Sequence, residues 1–321
     1  MKCRICGSEE EQTPFILTEK KIGTFEQFEY FLCRSCNTMQ IISPPEDIRK
    51  YYPGKFDSFE KIKVIPLPKI KEVIFNLRNA HLFERRTLIG GVITFFFPNF
   101  ISMYLMGKRI TKETRILDVG SGTGNLLYAL HREGMKNLMG IDPYITETIL
   151  GPEGLMIGKM TLKDLNGKWD IVMFNHSFEH EKEPVEMLKE VRRLLSPSGL
   201  CLIRTPLMNS WAWQKYRENW VQLDAPRHNF IYSEDSLKRL AGSAGFKVKQ
   251  IIYDSTDFQV WGSEQYKRDI PLLSEKSLHY GRKRSIFSRF DILRYKVKAI
   301  SLNKKGRGDQ AAFYLTMTDN E

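Results

Sequence analysis

Short apolar runs alternate with segments of helical periodicity throughout the second half of the chain. Runs of this kind between helical segments are typical of strands in a parallel sheet, because such strands are covered on both faces. We predict seven strands, at 115–119, 137–141, 155–157, 170–174, 200–204, 246–253 and 311–318. The alternation therefore predicts an α/β fold with a doubly wound, mostly parallel sheet.

The clearest predicted helix lies between the fourth and fifth of these strands. Apolar residues recur there at every third position behind Pro184, at Val185, Leu188, Val191 and Leu194. Proline is favoured in the first turn of a helix, and the Ser-Pro-Ser-Gly segment at 196–199 is expected to end this one as a turn. We expect Ser233 to cap a later helix.

The N-terminal segment, residues 1–43, is predicted to form a separate module because two prolines interrupt regular structure after it. Four of the five cysteines lie in this segment, in two Cys-x-x-Cys pairs: Cys3, Cys6, Cys33 and Cys36. A strand predicted at 25–32 can return the chain to the first pair. Four thiolates can surround a zinc ion and leave no open position, so the predicted metal is structural. A redox pair is the alternative, although no thioredoxin-like pattern surrounds either pair.

Residues 44–113 are predicted to be a helical linker or lid. Within them, residues 88–106 contain no charged side chain, which satisfies the crude length test for a membrane span. Glycine and proline pairs divide this stretch into short pieces. Three interpretations stay open: a span, helices lying in a membrane interface, and helices packed on the protein or over its substrate cleft. Since no secretory signal is recognisable, we expect a cytoplasmic protein that can associate with a membrane.

A glycine-rich turn follows the first predicted strand, in the run Asp118-Val119-Gly120-Ser121-Gly122-Thr123-Gly124. Glycines let a backbone turn sharply and approach a ligand closely. The pattern departs from a dinucleotide loop, since the Asp118 carboxylate would repel a pyrophosphate but attract an ammonium group. Asp142, at the end of the next predicted strand, can accept hydrogen bonds from both hydroxyls of a ribose. The predicted cofactor thus carries an ammonium group and a ribose.

These two motifs resemble the cofactor site of class I S-adenosylmethionine-dependent methyltransferases, which have a Rossmann-like fold. The likeness continues through residues 170–180, the helix behind Pro184 and the strand at 200–204. It implies that S-adenosylmethionine is the cofactor, with the candidate binding residues Asp118, Gly120, Ser121, Gly122, Gly124, Asp142 and Asn175. Residues 114–321 are then the Rossmann-like methyltransferase domain, with a basic insertion at about 262–308.

Four residues are candidates for removing a proton from the methyl acceptor. His176, Glu179 and His180 follow the fourth predicted strand, where ligands bind in open α/β sheets. His228 is the fourth, because the chain is also similar to sugar methyltransferases, in which a histidine of a Pro-x-His segment is a proposed base. We therefore expect methyl transfer to a sugar or sugar-linked small molecule, with His228 as general base. For all four residues, a structural role in holding the loops is the alternative.

The charge distribution favours an anionic partner. Residues 262–308 contain 13 Lys and Arg against 4 Asp and Glu, which accounts for +9 of the net charge of +11. Such a stretch suits an anionic substrate, an anionic membrane surface or nucleic acid, or it is a solvated helical face. RNA methylation is therefore an alternative function, although the stretch lacks the interleaved aromatic residues of a stacking platform. A zinc-dependent interaction module with a vestigial cofactor site is the non-enzymatic alternative.

Overall fold

The computed structural model describes residues 1–52, 68–84, 86–105 and 110–318. In these residues the strands are β1 (Thr13–Thr18), β2 (Gln27–Leu32), β3 (Met39–Ile41), β4 (Ile116–Val119), β5 (Leu138–Ile141), β6 (Ile149–Leu150), β7 (Met156–Gly158), β8 (Trp169–Asn175), β9 (Leu195–Pro206), β10 (Phe230–Ile231), β11 (Phe246–Tyr253) and β12 (Gln310–Met317). The α-helices are α1 (Lys69–Asn79), α2 (Leu88–Phe96), α3 (Asn125–Arg132), α4 (Pro184–Leu194), α5 (Trp211–Tyr216), α6 (Glu234–Ser243), α7 (Phe258–Tyr266) and α8 (Arg289–Lys304). The described residues form two compact units.

One unit lies within Gly54–Asn175 and Arg193–Cys201, and its sheet has the strand order β9-β8-β4-β5-β7-β6. β4 pairs in parallel with both β5 and β8, and β5 pairs in parallel with β7. The short β6 is antiparallel to β7. β4 is buried along its whole length, as the nearly continuous apolar run predicts for a strand covered on both faces.

The other unit lies within Met1–Pro53, His176–Arg192 and Leu202–Glu321 and contains strands of two sheets, the eight-stranded sheet β11-β12-β9-β8-β4-β5-β7-β6 and a four-stranded sheet. In the first, β12 lies between β11 and β9 and is antiparallel to β11. β9 contributes to both units because residues 195–201 belong to one and residues 202–206 to the other. The second sheet is antiparallel, with the order β1-β2-β3-β10.

Residues 1–43 share this second sheet and a hydrophobic core with residues far along the chain. Phe230 and Ile231 of β10 pair with Gln40 and Met39 of β3. The core includes Tyr30 and Met39 together with Trp213 and Trp220. Trp220 is fixed further, since its Nε1 donates to Asp309 Oδ2 at 3.0 Å. The division of the chain at residues 43 and 113 stays a prediction.

All seven strands predicted in the second half of the chain are present, and six of them end within one residue of the predicted positions. The helix behind Pro184 is α4, and the Ser233 hydroxyl caps α6 by accepting from Ser236 N. The turn predicted at 196–199 is wrong, because β9 begins at Leu195 directly after α4. The Ser196 hydroxyl donates to Asp170 Oδ1, and this contact with β8 ties the segment into the sheet.

Residues 88–105 form two short helical pieces, α2 and a π-helical turn at Ile101–Leu105. Across the described parts of the chain, no helix has both the length and the apolar character that a membrane crossing requires. Several apolar side chains of α2 are exposed, including Leu88 and Phe95. Met106, the last residue of the predicted apolar stretch, lies outside the described residues.

Candidate donor loop, histidine cluster and cysteine cluster

The loop between β4 and α3 carries three glycines in the left-handed region of backbone conformation. Gly120, Gly122 and Gly124 have φ angles of 73°, 54° and 88°, which residues with side chains rarely adopt. At Gly124 space is also lacking, since an added Cβ would lie 2.5 Å from Cδ1 of Ile157. The turn therefore requires glycine at these positions, as the motif predicts.

Asp118, in β4, is buried and has one unsatisfied oxygen. Its Oδ1 has no hydrogen-bond partner among the described residues. Burial, and then the nearby carboxylate of Asp142, raise the pKa of Asp118 to about 8. A bound ammonium group would supply the missing donor and favour the ionised carboxylate. This residue therefore fits the amino group of S-adenosylmethionine.

Asp142 holds the glycine loop in place. Its Oδ2 accepts from Gly122 N at 3.0 Å and its Oδ1 accepts from Tyr144 N at 2.8 Å. Burial raises the pKa of Asp142, and these two N–H donors oppose that rise. Each carboxylate oxygen has a second acceptor position, so the residue can also accept from the ribose hydroxyls, as the sequence predicts.

The remaining predicted donor residues follow or end neighbouring strands of the same sheet. Ser121 belongs to the glycine loop, and its N–H donates to Ile141 O at the end of β5 at 3.2 Å. Asn175 is the half-buried last residue of β8, the strand that pairs with β4. The roles of individual residues in donor binding stay predictions.

The four candidate residues for proton removal come together in the other unit. Glu179 Oε1 lies 3.5 Å from His176 Nδ1 and 3.9 Å from His228 Nε2. The ring centroids of His180 and His228 are 4.9 Å apart. We call Glu179, His180 and His228 the histidine cluster, because one polar atom of each lies within 4.8 Å of the others; Glu179 and His228 are buried, whereas His180 and His176 are partly exposed.

Both histidines of this cluster have fixed ring orientations. Nδ1–H of His228 donates to Gln222 O at 2.9 Å, and Nδ1–H of His180 donates to Arg227 O at 2.8 Å, because a carbonyl oxygen can only accept. Burial lowers the pKa of His180 to about 4 and the pKa of His228 well below its usual value. Both imidazoles are therefore neutral near pH 7, with the lone pair on Nε2.

Glu179 is completely buried and ionised. Its Oε2 accepts from the Thr205 hydroxyl at 3.0 Å, whereas Oε1 has no hydrogen-bond partner in the described parts of the chain. Burial alone would raise the pKa of Glu179, but the interaction with the imidazole of His176 lowers it to about 2. No sequence signal points to Thr205, because it is one of several polar residues in β9.

The four N-terminal cysteines form a second cluster, and all are free thiols. The Sγ atoms of Cys3 and Cys36 are 3.7 Å apart, as are those of Cys6 and Cys33. Tetrahedral zinc with Zn–S bonds of about 2.3 Å requires sulfur separations of about 3.8 Å. The hydrogen bond from Cys36 lowers the pKa of Cys3 to about 4, and Gln40 Nε2 also donates to Cys3 Sγ at 2.9 Å. The four residues therefore fit a structural zinc ion.

A family model described as a methyltransferase domain matches residues 84–251, just over half of the chain. The chain therefore belongs to the methyltransferase domain family. Its mostly parallel sheet and glycine loop are those of a class I, S-adenosylmethionine-dependent methyltransferase with a Rossmann-like fold.

Several known methyltransferases are similar to this chain. EEF1A lysine methyltransferase 2 of Danio rerio is 23% identical over 175 residues, which cover 48% of this chain and 72% of that protein. The structure of mitomycin 7-O-methyltransferase MmcR matches with 10% identity and a TM-score of 0.39, and covers 64% of this chain. This chain spans about half, 49%, of that enzyme. The 1,6-didemethyltoxoflavin-N1-methyltransferase of Burkholderia thailandensis, with bound S-adenosylhomocysteine, matches with 12% identity and a TM-score of 0.40 over 90% of this chain and 98% of its own.

Proposed function

We propose that this methyltransferase acts on a sugar-linked small molecule that carries an anionic group, such as a nucleotide sugar. The methyl carbon leaves the sulfonium of the donor and bonds to a nucleophilic atom of the acceptor. S-adenosylhomocysteine is released, and the acceptor proton passes to a base or to water.

A cleft lined by cationic and aromatic side chains carries this proposal. Its volume is about 560 Å³, and its lining includes Trp211, Tyr216, Lys215, Arg268, Arg294 and Lys298. The ammonium groups of Lys215 and Lys298 lie 5.1 and 4.6 Å from the ring centroid of Trp211. Two carboxylates, of Glu264 and Asp291, also line the cleft, so cations outnumber anions there. An anionic group with an attached ring system fits such a lining.

The test is a screen with labelled S-adenosylmethionine against nucleotide sugars, RNA and protein, followed by variants of the cleft. We expect methylated nucleotide sugar as the product. Lys298→Glu should raise the acceptor KM by about 10-fold with little change in kcat, because it weakens ground-state binding of the anion. Lys305→Glu, in the same basic stretch but outside the cleft lining, is the matched control.

Other products of the same screen would replace this proposal. Methylated RNA would support the alternative drawn from the basic stretch, and a methylated protein lysine would follow the relative from Danio rerio. Donor binding without turnover on any acceptor would favour the interaction module with a vestigial site. An unchanged acceptor KM in Lys298→Glu would show that the cleft does not bind the acceptor.

The role of His228 as general base stays a prediction. Its lowered pKa weakens it as a proton acceptor near neutral pH, since a base works best when its pKa lies near the working pH. If His228 is the base, His228→Ala should lower kcat by about 10²- to 10⁴-fold and leave donor binding unchanged. Turnover close to wild type would place the base elsewhere, with His176 the next residue to replace.

We also propose one structural zinc ion per chain, held by Cys3, Cys6, Cys33 and Cys36 as thiolates. Elemental analysis of the purified protein should give about one zinc at this site. A strong chelator should unfold the sheet that contains β1 to β3 while sparing donor binding. Metal-free protein with a disulfide within either pair would contradict the proposal.

A further inference from the structure

The histidine cluster has the composition of a metal site with open positions. Two imidazoles and one carboxylate are common ligands of Zn²⁺, Fe²⁺ and related ions, and three protein ligands leave room for water or substrate. From the geometry we infer that Glu179, His180 and His228 bind one divalent first-row transition-metal ion. This site is separate from the four cysteines.

The ligand atoms are already close enough for a small adjustment to complete the site. One candidate ligand atom from each of the three residues lies within 4.8 Å of the others. Glu179 Oε1 and His228 Nε2 are 3.9 Å apart. Ligand atoms about 2.0 to 2.1 Å from a tetrahedral metal lie about 3.4 Å from one another, so this pair needs to approach by about 0.5 Å.

The surroundings of the two histidines prepare them as ligands. Each donates its Nδ1–H to a backbone carbonyl, of Gln222 or of Arg227. Histidines that bind metals almost always donate the other ring N–H to such an acceptor, which fixes the tautomer and the ring orientation. The hydrogen bonds therefore leave Nε2 of both rings as the atom able to bind a cation.

The charges also favour a cation. Glu179 is fully buried, and its Oε1 has no hydrogen-bond partner in the part of the chain that the structure describes. The nearby cations Arg227 and Lys21 form ion pairs with Asp224. A buried carboxylate oxygen that accepts no hydrogen bond is available as a ligand for a metal ion. Asp224 Oδ2 lies 3.7 Å from His228 Nε2 and is near enough to serve as a further ligand.

This inference does not depend on the identity of the acceptor. A metal ion on Nε2 of His228 would prevent that nitrogen from acting as the base, so the two roles exclude each other. The ion could instead lower the pKa of a bound hydroxyl or water.

Cobalt(II) is the probe, added to full-length protein whose cysteine site is loaded with zinc. We expect one cobalt per chain with ligand-field absorption and without the thiolate charge-transfer band that cysteine ligands would give. Glu179→Gln, His180→Gln and His228→Gln should each weaken cobalt binding by more than about 100-fold, the upper range for losing only an outer-shell partner. His279→Gln, outside the cluster, is the matched control.

A measurement on the unmodified protein covers the case in which these variants do not fold. Pulsed electron paramagnetic resonance of the cobalt-loaded wild type should detect coupling to imidazole nitrogen. Any one of three results would refute the proposed metal site. These are the absence of a second metal ion, a second ion without imidazole coupling, and equal cobalt binding by folded cluster variants. Neither donor nor acceptor is present, so failure here is distinguishable from failure of the proposed acceptor.

A different observation concerns the surface of α8. Phe290, Leu293, Val297 and Ile300 are spaced by three or four residues and therefore share one helix face. All four are exposed, Phe290 to 72%. Arg289 and Lys296 flank this apolar stripe on one side and Arg294 flanks it on the other.

We propose that α8 lies on an anionic membrane surface, with this stripe at the boundary between headgroups and acyl chains. The positive charge of α8 favours a membrane over a second copy of the chain as the partner of this surface. A second copy of the chain would bring another basic stretch against the first, and like charges would repel. Anionic lipids would attract the flanking cations while the four apolar side chains leave water.

Flotation with vesicles of phosphatidylcholine, with and without phosphatidylserine, tests this proposal. We expect binding to the anionic vesicles only, and Phe290→Ser should weaken it by about 10-fold through lost apolar burial. Leu150→Ser, at an equally exposed apolar residue in the other unit, should have no effect. The membrane proposal would be refuted by equal binding to neutral vesicles, by no binding to either kind of vesicle, or by a dimer that Phe290→Ser dissociates.

Discussion

Asp118 and Glu179 are both buried carboxyl groups, and each has one oxygen without a hydrogen-bond partner among the described residues. Their pKa values nevertheless move in opposite directions, to about 8 and to about 2. Asp118 lies near another carboxylate, Asp142, whereas Glu179 lies among imidazoles. Burial opposes ionisation at both positions, so the neighbouring group decides the outcome: the Asp142 carboxylate disfavours the charge of Asp118, whereas the interaction with His176 favours the charge of Glu179. One carboxyl group is thus prepared to ionise when a cation binds, and the other is ionised already.

Replacing Asp118 should have a large effect on donor affinity. We expect Asp118→Asn to weaken S-adenosylmethionine binding by about 10- to 100-fold, because the ammonium loses a charge-assisted hydrogen bond. Calorimetry measures the change. Asp170→Asn, a carboxylate of β8 that pairs with Arg115, is the control and should bind normally. Equal affinity in both variants would exclude Asp118 from the donor site.

Asp142→Ala should weaken donor binding by about 1 to 3 kcal/mol, because the ribose hydroxyls and Gly122 N lose their acceptor. Calorimetry with S-adenosylmethionine and S-adenosylhomocysteine provides the value, and NAD is the control ligand. Tight NAD binding by the wild type without donor binding would contradict the cofactor assignment.

Glu179→Gln should lower the free energy of unfolding by about 1 kcal/mol at pH 7, since Thr205 and His176 lose a charged partner. The folded pKa of Glu179 is depressed, so its stabilisation exists above the unfolded value of about 4.5 and disappears as pH falls toward about 2. Urea unfolding at several pH values measures this. Glu186→Gln, on the exposed face of α4, is the control, and an equal loss there would remove the special role of Glu179.

The smallest expected effect is an increase in the stability of the donor-free protein. The folded pKa of Asp118 is raised, so its ionisation costs stability increasingly as pH rises from about 3.8 to about 8. Asp118→Asn should therefore raise the Tm of the donor-free protein at pH 8 by about 2 to 4 °C and leave it unchanged near pH 4. Thermal scans across this range measure the difference. A lower Tm at pH 8 would show that the carboxylate is stabilised by contacts other than those described.

The parts of the molecule that the sequence predicts well are those determined locally. Seven of the nine strands from β4 to β12 follow from apolar runs, the exceptions being the two-residue strands β6 and β10, and the glycine loop follows from backbone conformations that glycine alone adopts readily. The turn expected at 196–199 failed because contacts with a neighbouring strand prevailed over local turn preference. The approach of His228 to Glu179 and the bond from Gln40 to Cys3 depend on how distant segments pack, which no local pattern encodes.

Because β10 pairs with β3, residues 1–43 are difficult to transfer to another protein on their own. Next to β10, two further hydrogen bonds join the N-terminal segment to residues after the glycine loop: the Tyr30 hydroxyl donates to His228 O at 2.9 Å, and the Ser233 hydroxyl donates to Cys36 O at 2.6 Å. A chain shortened by residues 1–43 would leave Phe230 and Ile231 as an open strand edge, able to pair with another molecule. Any recombination that moved the cysteines to another enzyme would have to move these later residues with them.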